Sequence, residues 1–204
     1  MFAYLISREG YEQLSIAGIG ESGLQGVQAV FMDRDGTIGG DGHFIHPRDF
    51  ELFPFSLEAI RLLKQNGIPV FALTNQHRIA RGEAVEQEFV DQFASYGFDS
   101  SYICPHSSGA GCECHKPQPG LLRKAAQEHG LDLTRCAVIG DVGSTDMLAA
   151  HAVGAVKILV LTGWGSDSLH VYRDKWADAE PDFVAANVLE AAQWLLGQVD
   201  KDVP

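Results

Sequence analysis

Apolar runs alternate with amphipathic segments along most of this 204-residue chain, and each pattern predicts one type of element. Short continuous apolar runs predict buried strands over residues 27–32, 68–73, 100–104, 136–140 and 156–161. Apolar residues at helical spacing, in segments that often end at glycine, predict helices over residues 56–67, 82–97, 119–130, 145–154 and 187–199. Because continuous apolar strands need cover on both faces, the alternation predicts an α/β fold, a Rossmann-like three-layer sandwich around a mostly parallel sheet.

The first residues do not follow this rhythm. We expect an N-terminal extension of unassigned role over residues 1–26, followed by a single domain over 27–204, since this length suits one domain. Arg8, Glu9 and Glu12 fall where a secretory signal would carry its apolar stretch. The expected location is therefore the cytoplasm.

The first predicted strand ends in two carboxylates and a glycine, in the order Asp33-Arg-Asp35-Gly-Thr. Side chains two apart on an extended backbone point the same way, so Asp33 and Asp35 are expected to face one pocket. Two close carboxylates repel each other unless a cation or a shared proton intervenes, and Mg²⁺ suits such oxygen ligands. The plain alternative is a polar turn.

Other predicted elements supply matching groups. Thr74 and Asn75 follow the second strand, and their hydroxyl and amide suit a phosphate oxygen; Asp141 follows the fourth strand, with Asp146 five residues on, and Lys116 lies just before a helix. The carboxyl ends of parallel strands are where open α/β sheets bind ligands. A phosphate dianion beside three carboxylates requires roughly +3 of charge, which Mg²⁺ and one lysine would supply.

The formal net charge of −12 restricts the partners. A nucleic-acid partner is not expected, because phosphate-backbone binders need clustered Lys and Arg. A membrane partner is not expected either, since no run approaches the roughly 20 apolar residues of a membrane helix. A small phosphorylated metabolite remains compatible if local cations or a metal ion offset the field. The expected assembly is a monomer or a small homo-oligomer.

A second candidate site is the segment C-x-H-x5-C-x-C, which contains Cys104, His106, Cys112 and Cys114. Four soft or borderline ligands suit tetrahedral Zn²⁺, and a site with four protein ligands would be structural. The alternative is a set of reduced cysteines beside an incidental histidine. Cys136 begins a core strand and is expected to be a buried small residue.

Four motifs occur in order along the chain, and they are Asp33-x-Asp35-Gly-Thr, Thr74, Lys116 and Gly-Asp141-x4-Asp146. Together they resemble the four-motif signature of the haloacid dehalogenase (HAD) superfamily of phosphatases. The cysteine-rich loop, "HKPQPG" and "LTNQHRIARG" resemble the zinc-loop branch of that superfamily, which includes heptose bisphosphate and histidinol-phosphate phosphatases. This resemblance implies a HAD-like fold with no large cap domain.

The resemblance also implies roles for the matching residues. Asp33 would be the nucleophile that forms an aspartyl-phosphate, and Asp35 would be the general acid and then the general base. Thr74 and Lys116 would hold the phosphoryl group. Asp141 would complete the Mg²⁺ shell, together with Asp33 and the main-chain carbonyl of Asp35.

Further roles concern the surroundings of the phosphoryl group. Asp146 would orient Lys116 or a metal-bound water. Arg78, Arg81 and His43 are candidates to contact the rest of the substrate. His115 and Val142 stand where the resemblance would place two cations, which bears on any second phosphate.

The expected function is a Mg²⁺-dependent phosphomonoesterase with structural Zn²⁺. Its substrate would be a small soluble phosphate, either a sugar phosphate or bisphosphate or a histidinol-phosphate-like compound. One alternative is a phosphotransferase or mutase that uses the same aspartyl-phosphate. Another is a zinc-stabilised binding domain without catalytic activity.

Overall fold

The computed structural model describes residues 26–201, and it describes side chains for residues 26–197. The predicted N-terminal extension, residues 1–26, lies outside the described residues except for its last residue. Within residues 26–201, no helix is both long enough and apolar enough to cross a membrane.

Six parallel strands form one sheet in the described part of the chain. They are β1 (Ala29–Met32), β2 (Val70–Asn75), β3 (Ser100–Cys104), β4 (Cys136–Gly140), β5 (Val156–Val160) and β6 (Phe183–Ala185). Their order across the sheet is β3-β2-β1-β4-β5-β6, which is the order of a doubly wound nucleotide-binding fold. The predicted parallel sheet is confirmed, with β6 as a strand that the pattern did not predict.

Helices cover this sheet and join its strands. They are α1 (Ser56–Gln65), α2 (Glu86–Tyr96), α3 (Gly120–His129), α4 (Leu148–His151), α5 (Gly165–His170) and α6 (Val188–Lys201). The connection from β1 to β2 contains a 3-10 turn at Pro47–Asp49 and α1. The connection from β1 to β2, which the structure describes in full, therefore contains no additional domain, in agreement with the predicted lack of a large cap domain.

The helix predicted over residues 145–154 is found, but only part of it is an α-helix. The chain after β4 makes a π-helix at Gly143–Met147 and then the short α4. Gly143 lies against the indole of Trp176, where an added Cβ would be 2.1 Å from the ring. The wider π turn lets the main chain pass this buried ring and still present Asp146 to the sheet edge.

Successive residues of β1 pack in different cores, as the pleat of a strand requires. Val30 and Met32 lie in the core shared with α1, α2 and α6, whereas Ala29 and Phe31 lie in the core shared with α3 and α4. Helices therefore cover both faces of the sheet, and the predicted three-layer sandwich is confirmed.

The order of the strands fixes where the functional side chains meet. Met32 of β1 pairs with Ile139 of β4, and the Asp33 amide donates to the Ile139 carbonyl at 3.0 Å. β1 and β4 are neighbours in space although they are far apart in the chain. The crevice at their carboxyl ends is the switch point where doubly wound sheets bind ligands.

Candidate active site

A tight turn directs the chain away from the end of β1. Gly36 has φ +87°, and the Thr37 and Ile38 amides both donate to the carbonyl of Arg34. A Cβ added at Gly36 would lie 2.2 Å from Asp141 Oδ2. Only glycine combines this backbone conformation with so close an approach, so Gly36 lets the β1 turn meet the β4 loop.

Lys116 joins two carboxylates at the centre of the site. Its Nζ lies 2.7 Å from Asp33 Oδ1 and 2.6 Å from Asp146 Oδ1, and it also donates to the Leu73 carbonyl at 2.7 Å. Only 3% of Lys116 is exposed. Burial alone would lower the pKa of Lys116, but the Asp146 and Asp33 carboxylates outweigh it and raise that pKa. Lys116 therefore carries a fixed positive charge beside the candidate nucleophile.

Asn75 has a different partner from the phosphate oxygen that the sequence suggested. Its Nδ2 donates to the Lys116 carbonyl at 3.1 Å, and its Oδ1 accepts from the Lys116 amide at 3.0 Å. The Asn75 amide thus acts as a two-point dock for the main chain of Lys116. It connects β2 to the loop that follows β3 and sets where the lysine enters the site.

Asp35 is held at both carboxylate oxygens. Arg34 Nη1 lies 2.5 Å from Oδ1, and Gln76 Nε2 donates to Oδ2 at 2.7 Å. Gln76 also donates to the Thr74 hydroxyl oxygen at 2.9 Å, so the Thr74 proton remains available to a ligand. Burial raises the pKa of Asp35 to about 6, although the Arg34 charge opposes this rise and the Asp33 charge adds to it. A carboxyl group with such a pKa can exchange a proton near neutral pH.

Asp141 lies fully buried at the end of β4. The Thr37 hydroxyl donates to Oδ1 at 3.0 Å and the Trp164 amide donates to Oδ2 at 2.8 Å. Burial, followed by repulsion from Asp33 and Asp146, raises the pKa of Asp141 well above its usual value. An ionised Asp141 therefore needs more positive charge than these donors supply.

Asp146 completes the acidic cluster. One carboxylate oxygen of each of Asp33, Asp141 and Asp146 lies within 4.8 Å of the others, a spacing that fits a shared cation. Asp146 uses Oδ1 on Lys116 and Oδ2 on the Val142 amide, which donates to it at 3.1 Å. Burial raises the pKa of Asp146 to about 6 even though the Lys116 charge opposes it. Its contacts suit the orientation of Lys116 better than direct coordination of an ion.

The cysteine and histidine cluster forms at the end of β3. The ligand atoms of Cys104, His106, Cys112 and Cys114 all lie within 4.8 Å of one another. Cys104 Sγ is 3.3 Å from Cys114 Sγ and 3.8 Å from Cys112 Sγ, and His106 Nδ1 is 3.1 Å from Cys114 Sγ. Two thiolates on one tetrahedral zinc ion are separated by about 3.8 Å, given Zn–S bonds of about 2.3 Å. The donor set and its spacing therefore fit a closed site for a tetrahedral metal ion.

Known proteins resemble this chain over most of its length. A D-glycero-beta-D-manno-heptose-1,7-bisphosphate 7-phosphatase from Photorhabdus laumondii is 38% identical over 156 residues, covering 68% of this chain and 83% of that protein. A protein of the same name from Vibrio cholerae is 37% identical over 153 residues, covering 66% of this chain and 82% of its own length. This chain belongs to the HAD superfamily.

Two further comparisons agree with this membership. The family model described as HAD-hydrolase-like matches residues 113–191. A crystal structure of D,D-heptose 1,7-bisphosphate phosphatase from B. bronchiseptica, complexed with magnesium and phosphate, aligns with a TM-score of 0.70 and 30% identity. That alignment covers 84% of this chain and 99% of the other. The predicted HAD-like fold and phosphatase class are thereby confirmed.

The candidate residues for the rest of the substrate lie further out in this HAD protein. Arg78 pairs with Glu83 at 2.6 Å and lies over the Phe44 ring, whereas Arg81 is exposed. His43 is also exposed, and its ring centroid is 5.2 Å from that of Trp164. Their roles toward a substrate stay predictions.

His115 and His46 lie near the site but have other partners. His115 Nδ1 is 3.6 Å from Cys104 Sγ, and burial followed by the Lys116 charge lowers the pKa of His115. His46 accepts from the Arg48 amide at the start of the 3-10 turn, which is a capping contact.

Several residues of the candidate site in this HAD protein were not predicted from the sequence. Gln76 could have been found, because it follows Thr74 by two positions on an extended backbone and so faces the same side. The Thr37 hydroxyl donates to Asp141, which is 104 residues away in the chain, and the sequence pattern gives no sign of this contact. Arg34 and its partner Gln92 carry no local signal, since 58 residues separate them.

Proposed function

We propose that this HAD chain is a Mg²⁺-dependent phosphomonoesterase that hydrolyses a small soluble sugar phosphate through an aspartyl-phosphate on Asp33. The observation that carries the proposal is the convergence of residues from three separate strands, β1, β2 and β4, on Lys116. Its Nζ contacts Asp33 after β1, Leu73 of β2 and Asp146 after β4, while Asn75 docks its main chain. This arrangement supports the proposed roles, because it holds the Lys116 cation beside the Asp33 carboxylate.

In the first step, an Asp33 carboxylate oxygen attacks phosphorus as the bond from phosphorus to the leaving oxygen breaks. Asp35 gives its proton to the leaving oxygen and becomes ionised. Lys116 and the Thr74 hydroxyl donate to the phosphoryl oxygens. Splitting hydrolysis in this way replaces one difficult displacement by two easier ones.

In the second step, the ionised Asp35 removes a proton from water as the water oxygen attacks phosphorus. The bond between phosphorus and the Asp33 oxygen breaks, so inorganic phosphate leaves and both carboxyl groups return to their starting states. The pKa of Asp35, raised to about 6 by burial, suits a group that must both give and take a proton.

Two metal ions accompany this proposal. Magnesium would be held by Asp33, Asp141 and the main-chain carbonyl of Asp35, and it would supply charge neutralisation for the carboxylates and the phosphoryl oxygens. Asp146 would act indirectly, by orienting Lys116. Zinc would be held by the four ligands of the loop after β3, as a structural ion next to Lys116.

The proposed substrate class follows the relatives, which are named as heptose bisphosphate phosphatases. His43, Arg78 and Arg81 are proposed to contact the part of the substrate beyond the phosphate. We further propose a cytoplasmic enzyme with one catalytic domain over 27–204, active as a monomer or small homo-oligomer, without a nucleic-acid or membrane partner.

The test is Asp33→Asn with a panel of phosphorylated sugars, amino alcohols and nucleotides, assayed for phosphate release with Mg²⁺. We expect a loss of about 10⁴-fold or more in kcat, because an amide cannot form the covalent intermediate. Radiolabelled substrate should leave a phosphorylated wild-type protein after acid quenching, and the variant should carry no label.

A matched control is Asp91→Asn, which makes the same change at an exposed position of α2. It should keep the activity of the wild type. Retained turnover or labelling in a folded Asp33→Asn variant would refute the proposed nucleophile.

A further inference from the structure

Arg34 occupies an unusual position for a charged residue. It stands between Asp33 and Asp35, so the strand alternation turns its side chain away from the carboxylates' pocket and into the core. It is fully buried, and its guanidinium lies 3.7 Å from the centroid of the Phe50 ring and 5.0 Å from that of Phe89. A buried charge is costly unless it is paired and fully hydrogen-bonded.

The guanidinium meets this requirement with three separate acceptors. Nε donates to Gln92 Oε1 at 2.9 Å, Nη2 donates to the Ile45 carbonyl at 3.0 Å, and Nη1 lies 2.5 Å from Asp35 Oδ1. Gln92 is itself anchored, because its Nε2 donates to the Pro47 carbonyl at 2.6 Å. The planar fork of an arginine can reach three acceptors in fixed directions, which a lysine cannot do.

These contacts determine how the Asp35 carboxyl group is presented. A guanidinium only donates, so Oδ1 is committed to Arg34 and cannot be the oxygen that faces a leaving group. Oδ2 accepts one hydrogen bond from Gln76 and has a second lone pair for a transferable proton. Through Arg34, α2 and the segment around residues 45–50 therefore fix the rotation of the Asp35 carboxyl group about its Cβ–Cγ bond.

We propose that Arg34 is a positioning residue, which orients Asp35 so that Oδ2 delivers the proton to the leaving oxygen and later accepts one from water. This inference rests on the proposed function and deepens it. Its consequence is that α2, through Gln92, takes part in orienting the proton-transferring group without touching the substrate.

The test exploits the fact that leaving groups differ in their need for a proton. Arg34→Met keeps a buried, unbranched side chain but removes all three donors. It is assayed with the best sugar phosphate of the panel, whose alkoxide needs a proton, and with 2,4-dinitrophenyl phosphate, whose phenolate leaves without one. The measured quantity is kcat/KM, which reports the steps up to release of the first product.

We expect Arg34→Met to lower kcat/KM about 100-fold for the sugar phosphate and less than about threefold for the aryl phosphate. Since the water-activating step also needs Asp35, the variant should release a burst of dinitrophenolate equal to the enzyme concentration and accumulate phosphorylated protein. Arg34→Lys keeps the charge but loses the fork, and it should lose at least about tenfold on the sugar phosphate.

The matched control is Arg48→Met, which makes the same change at an exposed arginine of the neighbouring 3-10 turn. Both of its kcat/KM values should equal those of the wild type. If Arg34→Met does not fold, as judged by circular dichroism, Gln92→Met replaces it, and a smaller loss confined to the sugar phosphate is expected.

Equal losses on both substrates, or no loss, would overturn the positioning role. So would full activity of Arg34→Lys, because charge alone would then suffice. Each of these outcomes bears on Arg34 when the wild type is active. An inactive wild type, or an active Asp33→Asn variant, would instead refute the proposed phosphatase mechanism.

Discussion

At the scale of single residues, the site contains more negative than positive buried charge. Among the residues that the structure describes, four carboxylates face two cations, and the members of this set are Asp33, Asp35, Asp141, Asp146, Arg34 and Lys116. The excess equals the charge of one divalent ion. Burial raises the pKa of Asp141 and of Asp146, and repulsion from Asp33 adds to both rises. Metal binding and the stability of the fold are thus linked.

This linkage predicts how stability depends on pH without metal. From about 3.9 in an unfolded chain, the pKa values of Asp35 and Asp146 rise to about 6 in the folded protein, and that of Asp141 rises well above its usual value. The folded state then binds more protons than the unfolded state, so its stability falls as pH rises from about 4 through 6. In EDTA, the Tm should fall from pH 5 to pH 8, and Mg²⁺ should reduce that fall.

Asp141→Asn provides the control for this prediction. It removes one titrating group, so its Tm in EDTA should fall less steeply over the same range. The slope is the readout, since the new amide places a donor toward Thr37 or Trp164 and alters the absolute Tm as well. A wild-type Tm that is flat or rises from pH 5 to pH 8 in EDTA would contradict the charge argument.

Residue positions were predictable where they depend on the location along a strand, and less so where they depend on remote partners. The strand-end rule located Asp33, Thr74 and Asp141 correctly at one edge of the sheet. It did not show that Asn75 would dock Lys116, because that contact spans 41 residues. Arg34 follows the same logic, since the acceptors that make its burial possible come from other elements.

At the scale of elements, the loop between β3 and α3 is a part of the site that has no helix or strand of its own. Residues 105–119 contain only turns and bends, yet they present Lys116. The four proposed zinc ligands end two residues before this lysine. A metal ion there would replace the core that the loop lacks.

Removing one ligand should therefore affect the lysine as well as the metal. We expect Cys112→Ala to lose bound zinc, to lower the Tm and to reduce kcat by about tenfold or more, the scale of effect of groups that support a catalytic residue. Elemental analysis, thermal unfolding and phosphatase assays measure the three quantities. Zinc retained at the wild-type level, or zinc absent from the wild type, would contradict this assignment.

Cys136→Ala is the matched control for that variant. Cys136 is fully buried at the start of β4, and its Sγ donates to the Asp132 carbonyl at 3.4 Å, at the opposite end of the strand from Asp141. Its replacement loses packing, so the Tm should fall, but zinc content and kcat should stay at the wild-type values.

Two elements escaped prediction for a shared physical reason. β6 is only three residues long and α5 only six, so neither provides enough periods for a pattern to be recognised. The segment that contains α5 reaches the site through Ser168, whose hydroxyl donates to the Asp141 carbonyl at 2.9 Å and accepts from the Gly143 amide. Tertiary contacts of this kind, and the π-helix beside them, are set by packing that a linear pattern does not record.

At the scale of the whole molecule, the site lies where the two halves of the sheet meet. β1 and β4 are neighbours at the switch point, so a ligand held by Asp33, Asp141 and Lys116 contacts segments from both halves at once. The topology was predictable in class from the alternation of strands and helices. The strand order was not, because it depends on which long-range pairings bury the most apolar surface.

This placement predicts that ligands stabilise the entire domain. In saturating Mg²⁺, inorganic phosphate near 100 times its Kd should add about 2.7 kcal/mol to the free energy of unfolding of the Mg²⁺-bound protein. For a domain of this size, that raises the Tm by about 5–10 °C in thermal unfolding. Phosphate without Mg²⁺ should give a smaller shift, because the carboxylates then repel the anion.

Lys116→Met should abolish the phosphate-dependent part of the shift, whereas Lys124→Met, at an exposed position of α3, should retain it. Equal shifts in the wild type and the Lys116 variant would show that phosphate binds elsewhere.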